Sequence, residues 1–267
     1  MRAVSKHQAL TNTTHSPTGI SGLTLGIALH SRNIPVTIYE QASHFAEIGA
    51  GVSLTSNAVQ AMKHCNQGIY EAFERVRTKN LWPSKEKVWF DYHDGYHHKS
   101  DPKETHAFTI SNSLGQAGVH RAHYLDQLVK LFPAERAVFG KRLESVERED
   151  GDGKWVLKFH DGSEAKADAV VGCDGIKSSV RKMLYGKDDP RSYPTYTHKY
   201  AYRALADMEQ AVEAVGEEKA KNSCMHVSDI SKPRNRRFRL LTVMSSRWAQ
   251  EATCSPSPSN TAKSSTS

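Results

Sequence analysis

The stretch GISGLTLGIALHSRNIPVTIYE, residues Gly19 to Glu40, decides how the rest of the chain is read. Ile20, Leu23 and Ile27 recur at helical spacing after a glycine turn, and IPVTIYE follows as a β-branched run closed by an acid. Helix followed directly by strand is the second half of a βαβ unit. In a dinucleotide-binding unit the glycines let the backbone approach a pyrophosphate and the helix N-terminus faces its charge. An acid closing the next strand accepts hydrogen bonds from ribose hydroxyls. Gly19, Gly22 and Glu40 have the spacing for these roles, with Glu40 eighteen residues after Gly22. The same residues also read as a glycine-started helix followed by a strand with an ordinary terminal glutamate. Pro17 occupies the first glycine position of G-x-G-x-x-G, and ALTNTTHSPT puts Asn, Ser and Pro where a buried parallel strand should precede the helix. The first strand is therefore expected to be missing.

Outward from this unit, TSNAVQAMKHC predicts a helix capped by Thr55 or Ser56, with Val59 and Met62 on one face. KVWFDYHDGYHH and HAFTISN predict two strands around an Asp94-Gly95 turn. HRAHYLDQLVKLF predicts an amphipathic helix burying Tyr124, Leu125, Leu128 and Leu131. Three β-runs follow, RLESVERE, KWVLKFHDG and ADAVVGCDG, the last leading into a short helix, SSVRKMLYG. A strand YTHKYAYRAL and a helix MEQAVEAVGEEKAKN come next. From about Ser245 the Ser/Thr/Pro-rich sequence is expected to be a disordered tail.

The whole chain has 267 residues, 38% of them hydrophobic and 24% charged, which suits a globular protein and excludes collagenous or wholly disordered classes. No apolar run approaches the ~20 residues of a membrane-spanning helix. The N-terminus lacks a signal peptide's apolar stretch, so a soluble, cytoplasmic protein is expected, with no membrane partner. Of the net charge of +7, much lies in Lys232, Arg234, Arg236, Arg237 and Arg239, with no basic stripe elsewhere; nucleic acid is not expected as a partner. Cys65, Cys173, Cys224 and Cys254 show no C-x-x-C spacing, and His97-His98 lacks the i, i+4 spacing of a helical metal site, so no metal is expected.

The combination of GISGLTLGIAL, VTIYEQASHFAEIGAGVSLTSNAV, VHRAHYLDQLV, ADAVVGCDGIKSSVRKMLYG and YTHKYAYRAL resembles the single-component FAD-dependent aromatic hydroxylases, the group A flavoprotein monooxygenases. It is most similar to the fungal salicylate hydroxylase-like branch and to relatives that dearomatise polyketide-derived phenols. The resemblance runs from about Gly19 to about Val227. It implies an α/β fold, a Rossmann-like FAD-binding domain interleaved with a partial β-sheet substrate domain. It implies FAD as cofactor, NADPH (or NADH) as transient reductant, O2 as the source of one oxygen atom delivered to a phenol, and a place in secondary metabolism.

By resemblance, Gly19 and Gly22 form the pyrophosphate turn and Glu40 holds the ribose of the adenosine half. Gly51, in the EIGAG loop, lies on a segment that passes close to the flavin, and Arg121 is placed against the FAD. A cation at a helix start opposes the macrodipole, which makes better sense with an anionic partner. Asp174 and Gly175 match an Asp-Gly motif for FAD and NADPH contacts; without the resemblance Asp174 reads as a helix cap. Arg181 reads either as part of that network or as a surface charge. Arg203, in HKYAYRAL, matches the arginine that faces substrate in the dearomatising relatives, where a fixed guanidinium holds the phenol as phenolate. Its plainer reading is a strand-end arginine in a surface ion pair.

The expected organisation is 1–18 atypical, 19–80 the FAD-binding βαβ-like part, 81–118 a substrate-domain part, 119–190 the second FAD-binding part, 191–244 a partial substrate domain and 245–267 the tail. The family's second flavin motif, Gly-Asp followed by small residues and histidine, does not occur after residue 227. The chain therefore reads as a truncated form of such an enzyme, either a monooxygenase by descent or a non-catalytic remnant. The particular phenol, the outcome of hydroxylation and the oligomeric state stay open.

Overall fold

The computed structural model describes residues 8–12, 19–45, 51–94, 106–149, 151, 153–196, 207–227 and 240–243. Arg203, most of the expected strand YTHKYAYRAL, Gly95 of the expected turn and the 245–267 tail lie outside these residues. The first elements are β1 (Gln8–Asn12), α1 (Ile20–His30), β2 (Val36–Glu40), β3 (Gly51–Ser53), α2 (Ser56–Cys65) and α3 (Gln67–Val76). Then come β4 (Val88–Asp94), β5 (His106–Ser111), β6 (Gly118–His120), α4 (Arg121–Val129), β7 (Ala137–Val138), β8 (Leu143–Arg148) and β9 (Trp155–Phe159). The last are β10 (Glu164–Ala167), β11 (Ala169–Gly172), α5 (Ser179–Tyr185), α6 (Met208–Val215), α7 (Glu217–Lys221), β12 (Cys224–Val227) and β13 (Leu240–Val243).

The expectation of a missing first strand is overturned. Gln8–Asn12 forms β1 and pairs in parallel with both β2 and β11, in a sheet ordered β11-β1-β2-β7. A parallel ladder is made by backbone groups, and two flanking strands can fix a central one whose side chains have low β-propensity. The unit Gln8 to Glu40 is thus a complete β-α-β crossover.

Alternation along β2 separates two layers. Val36 and Ile38 are buried against Leu23 and Ile27 of α1, in a cluster that also holds Val59 and Met62 of α2, Ile69 and Phe73 of α3, and Tyr124, Leu125 and Leu128 of α4. Each such side chain contributes roughly 1.5–3 kcal/mol by leaving water. Tyr39 points the other way and meets Phe159, with ring centroids 4.9 Å apart. That face is covered by the antiparallel sheet β10-β9-β8, whose Leu143, Leu157, Phe159 and Ala167 form a second cluster with Val180 and Met183 of α5. The parallel sheet therefore lies between a helical layer and a β-meander.

A separate sheet, β13-β12-β4-β5, carries the expected antiparallel β4–β5 pair. The expected helix over residues 208–222 is two helices, α6 and α7, broken at Gly216, whose φ is +85°.

Gly26 sets how closely α1 approaches β2: a Cβ there would lie 2.8 Å from Ile38 Cδ1 and 3.1 Å from Phe132. The far end of α1 is fixed by Arg32, whose guanidinium donates to Ala28 O at 2.8 Å and to Cys65 O and His64 O at 2.7 and 2.9 Å, joining the C-termini of α1 and α2. Replacing Gly26 with valine should destabilise the protein by about 2 kcal/mol, because overpacking outweighs the few tenths gained in helix propensity. Urea unfolding checks this, and an unchanged midpoint would mean that the α1–β2 contact yields freely.

Candidate functional site

Because β11, β1 and β2 run in the same direction, their C-terminal ends share one edge. Thr11 is level with Gly172, and Asn12 with Glu40. The ends of β11 and β2 are therefore about 10 Å apart, two strand spacings. Open parallel sheets bind ligands in the crevice outside this edge, where connections leave to opposite sides. Here the chain passes from β1 through α1 to β2 on one side, while β11 flanks β1 on the other.

Four of the sequence-predicted residues are brought to this edge. Gly19 is the N-cap of α1, in extended conformation; among the described residues no side chain caps this helix, and its first turn holds no acid. Gly22 is buried in that turn, its N–H donating to Gly19 O. Glu40 ends β2 and is fully buried, with Oε1 accepting from Ala42 N at 2.9 Å while its carbonyl accepts from Lys141 N at 2.8 Å.

Asp174 follows β11 and is 1% exposed. Its Oδ1 accepts from Ser178 Oγ at 2.5 Å, and its Oδ2 accepts from Ser179 N and Val180 N at 2.6 and 3.1 Å. It caps α5, and both carboxylate oxygens are engaged by its own loop.

Two more residues are joined by the β3–β6 ladder. Gly51 pairs with His120, the neighbour of Arg121, which opens α4. Gly51 is exposed, and among the described residues an added Cβ would meet nothing within 4 Å. The packing of the described residues does not require glycine there, and the open space suits a ligand approaching the backbone. Burial and the nearby His123 hold the His120 imidazole below its ordinary pKa, against the opposing effect of Asp126.

Gln116 was missed in the sequence. It is 3% exposed, its Nε2 donates to Ser53 Oγ at 3.3 Å, and among the described residues its Oε1 has no hydrogen-bond partner. It follows Gly115, whose φ is +65° and where a Cβ would lie 1.8 Å from Glu86 O. A buried amide oxygen left without a donor is costly, and a ligand hydroxyl would satisfy it. Only the G-Q pair before VHR could have signalled it in the sequence.

A charged cluster fixes the second sheet. Asp91, 5% exposed on β4, accepts from Lys85 Nζ at 2.7 Å and Thr109 Oγ1 at 2.5 Å, with His106 Nε2 at 3.6 Å. Burial raises the Asp91 carboxyl, but the Lys85 and Thr109 hydrogen bonds and the charges of Lys85 and His106 together outweigh it and leave the pKa below its ordinary value. The Asp91 hydrogen bond raises the Lys85 ammonium in turn. Among the described residues no group of three or more His, Cys, Asp or Glu side chains could hold a metal ion, and no helix is long and apolar enough to cross a membrane.

No protein-family model matches the chain. Among curated proteins, the FAD-dependent monooxygenase pigN of Monascus ruber is 47% identical over 212 residues, which are 78% of this chain and 47% of that protein. The 6-methylsalicylate 1-monooxygenase atA of Aspergillus terreus is 44% identical over 214 residues, 79% of this chain and 47% of that protein. Among solved structures, a salicylate hydroxylase in complex with its substrate superposes with a TM-score of 0.65 at 27% identity, covering 84% of this chain and 50% of that one. The chain spans about half the length of the relatives it matches.

Asp91→Asn should cost about 3 kcal/mol at pH 7, the lower end for breaking a buried pair, because Lys85 keeps some contact with water. A carboxyl depressed in the folded state stabilises above its unfolded pKa of about 3.9 and loses that stabilisation as pH falls through the folded value. Urea midpoints of parent and variant should therefore converge as pH is lowered from 5 to 3, and a constant gap would show that Asp91 charge is not the source.

Proposed function

Taking the chain as related to the FAD-dependent monooxygenases of the salicylate hydroxylase type, we propose that it binds FAD along the C-terminal edge of its parallel sheet. We propose further that it serves the hydroxylation of a phenolic substrate with NADPH or NADH and O2. The observation that carries this reading is the meeting of Gly19, Gly22, Glu40 and Asp174 at one edge of β11-β1-β2.

The residues present fit such a coenzyme. The first turn of α1 has neither a capping side chain nor an acid to compete with a pyrophosphate. Glu40 closes the adjacent strand, where its carboxylate would hold ribose hydroxyls. Gln116 Oε1 offers a buried acceptor to a ligand hydroxyl. The open space around Gly51, next to the strand that leads into Arg121, would let a ring system lie against the backbone with a guanidinium nearby. The FAD-binding part is thus the β-α-β unit with α4 and β7 to α5, interleaved with a substrate part built on β4, β5 and β12. When bound, FAD supplies the electron transfer and oxygen chemistry, and the protein's part is orientation and exclusion of water.

On the substrate side, Arg203 would hold the phenol oxygen as phenolate. A guanidinium suits this role because it stays charged throughout the working pH range and presents a planar fork to an oxyanion. The phenolate increases ring electron density, which favours attack by an electrophilic oxygen.

The test begins with purified protein titrated with FAD, followed by flavin fluorescence and by the yellow absorption of the complex. Glu40→Gln should weaken FAD binding roughly 10- to 100-fold, the equivalent of losing charge-assisted hydrogen bonds of about 1.5–3 kcal/mol. Arg203→Ala should retain FAD while phenol-dependent NADPH oxidation falls at least tenfold. Soluble, folded protein that stays colourless with excess FAD would refute the coenzyme assignment, and an Arg203→Ala protein with undiminished phenol turnover would refute the substrate-side one.

A further inference from the structure

We infer that Arg77 is a positioning residue for Gln116, fixing the loop that carries this amide at the proposed coenzyme site. This rests on the reading of Gln116 Oε1 as an acceptor for a ligand hydroxyl. Arg77 closes α3, and its side chain is 8% exposed. Its Nη1 donates to Glu74 Oε1 at 2.9 Å and its Nη2 to Leu114 O at 2.6 Å, while among the described residues its Nε has no hydrogen-bond partner. The guanidinium carbon lies 5.8 Å from the ring centroid of Phe73, which is fully buried and meets Tyr124 of α4 edge-on at 6.1 Å. Arg77 thereby ties the position of Leu114 to the core between α3 and α4.

Filling the space beside Phe73 does not require a charge. Holding a guanidinium away from water is costly, and its carboxylate partner Glu74 is 30% exposed, so the ion pair offsets little of that cost. An apolar side chain would pack there without it. What the guanidinium adds is a charge-assisted hydrogen bond to one carbonyl of the loop, and that bond is short.

Gln116 lies midway between two fixed points. On one side, Leu114 N donates to Asn112 Oδ1 at 2.8 Å and Leu114 O accepts from Arg77, so both backbone groups of Leu114 are held by side chains. On the other side, Gly118 O accepts from Thr78 N at 2.7 Å and from Thr78 Oγ1 at 3.0 Å, and Gly118 N donates to Thr78 O at 3.4 Å. The dipeptide Arg77-Thr78 therefore grips the segment 114–118 at both ends, Arg77 through its side chain and Thr78 mainly through its backbone. The amide between these anchors is weakly held on its own account: its Nε2 reaches Ser53 Oγ at 3.3 Å, beyond the usual length of such a bond. The place of Oε1 is thus set by the backbone on either side of it. Loss of the Arg77 bond would leave the Thr78 anchor and free the other end of the segment, a small displacement that a preorganised acceptor does not tolerate.

A double-mutant cycle tests this, because a residue that acts only through another has no effect once the other is gone. FAD affinity, by flavin fluorescence, and ligand-free melting temperature are measured for the parent chain, Arg77→Met, Gln116→Leu and the double variant, with Glu74→Gln as a control on the ion pair. The expected result is a rise in Kd of about tenfold for each single variant, the size of one lost hydrogen bond to the ligand, and a double variant within threefold of either. Glu74→Gln should bind as the parent does, and Arg77→Lys, which can still donate one bond to Leu114 O, should fall between the parent and Arg77→Met. Folded Arg77→Met that binds FAD within threefold of the parent overturns the inference. So do losses that multiply in the double variant, since they would show Arg77 acting apart from Gln116. Should Arg77→Met fail to fold, Arg77→Lys with Gln116→Leu completes the same cycle, and multiplying losses overturn the inference there too. Gln116→Leu that binds as the parent does refutes the acceptor reading and this inference with it, and a parent chain that binds no FAD refutes the coenzyme reading. Both outcomes are distinct from a weakened Gln116→Leu beside unaffected Arg77 variants, which overturns the role of Arg77 alone.

Discussion

The central position of β1 is the constraint on which the rest of the structure depends. It hydrogen-bonds to β2 on one side and β11 on the other, all parallel, and so forces three strand ends to one edge. Without β1, the Asp174 loop after β11 and Glu40 after β2 would have no fixed relation, because nothing else in the parallel sheet joins their two strands. A parallel ladder also requires both faces of the sheet to be covered. The helical layer meets Val36 and Ile38, and the β-meander meets Tyr39, so both faces are covered.

Around this edge the chain uses polar contacts where apolar packing would close the crevice. Arg32 ties the C-termini of α1 and α2 through carbonyl groups, at the end of α1 far from the edge. Asp174 engages its own loop with both carboxylate oxygens, and Glu40 Oε1 accepts from Ala42 N just after its strand. Among the described residues, the helix that follows Asp174 has side-chain caps and the helix that follows β1 has none. The second sheet is organised by another economy: the Asp91 cluster joins β4, β5 and the segment before β4 with one buried carboxylate and its partners.

Much of the local structure was legible because it follows from periodicity. The 3.6-residue spacing of Leu23 and Ile27 and of Tyr124, Leu125 and Leu128 located α1 and α4, and each of these side chains is buried. The β4–β5 pair and the β8–β9 hairpin were readable from alternation and turn residues. β1 was not, because its sequence QALTN carries no apolar run and its place is fixed by two neighbours distant in sequence. β10, a four-residue strand EAKA, was hidden by its composition alone, since its partner β9 lies just before it in the chain. The single helix expected over residues 208–222 missed the break at Gly216, where a positive φ ends one helix before the next begins.

By itself the sequence determined the helix and strand segments whose side chains repeat with a clear period, and the residue types offered at the candidate edge, since both depend on contacts within a few residues or on composition alone. Only the tertiary structure decided that a polar pentapeptide is the central strand, that Gln116 is buried with one oxygen unpaired among the described residues, and how the Asp174 carboxylate and the Arg181 guanidinium are directed. The first two are set by groups far apart in the chain, and the last two by nearer groups whose directions local spacing does not record.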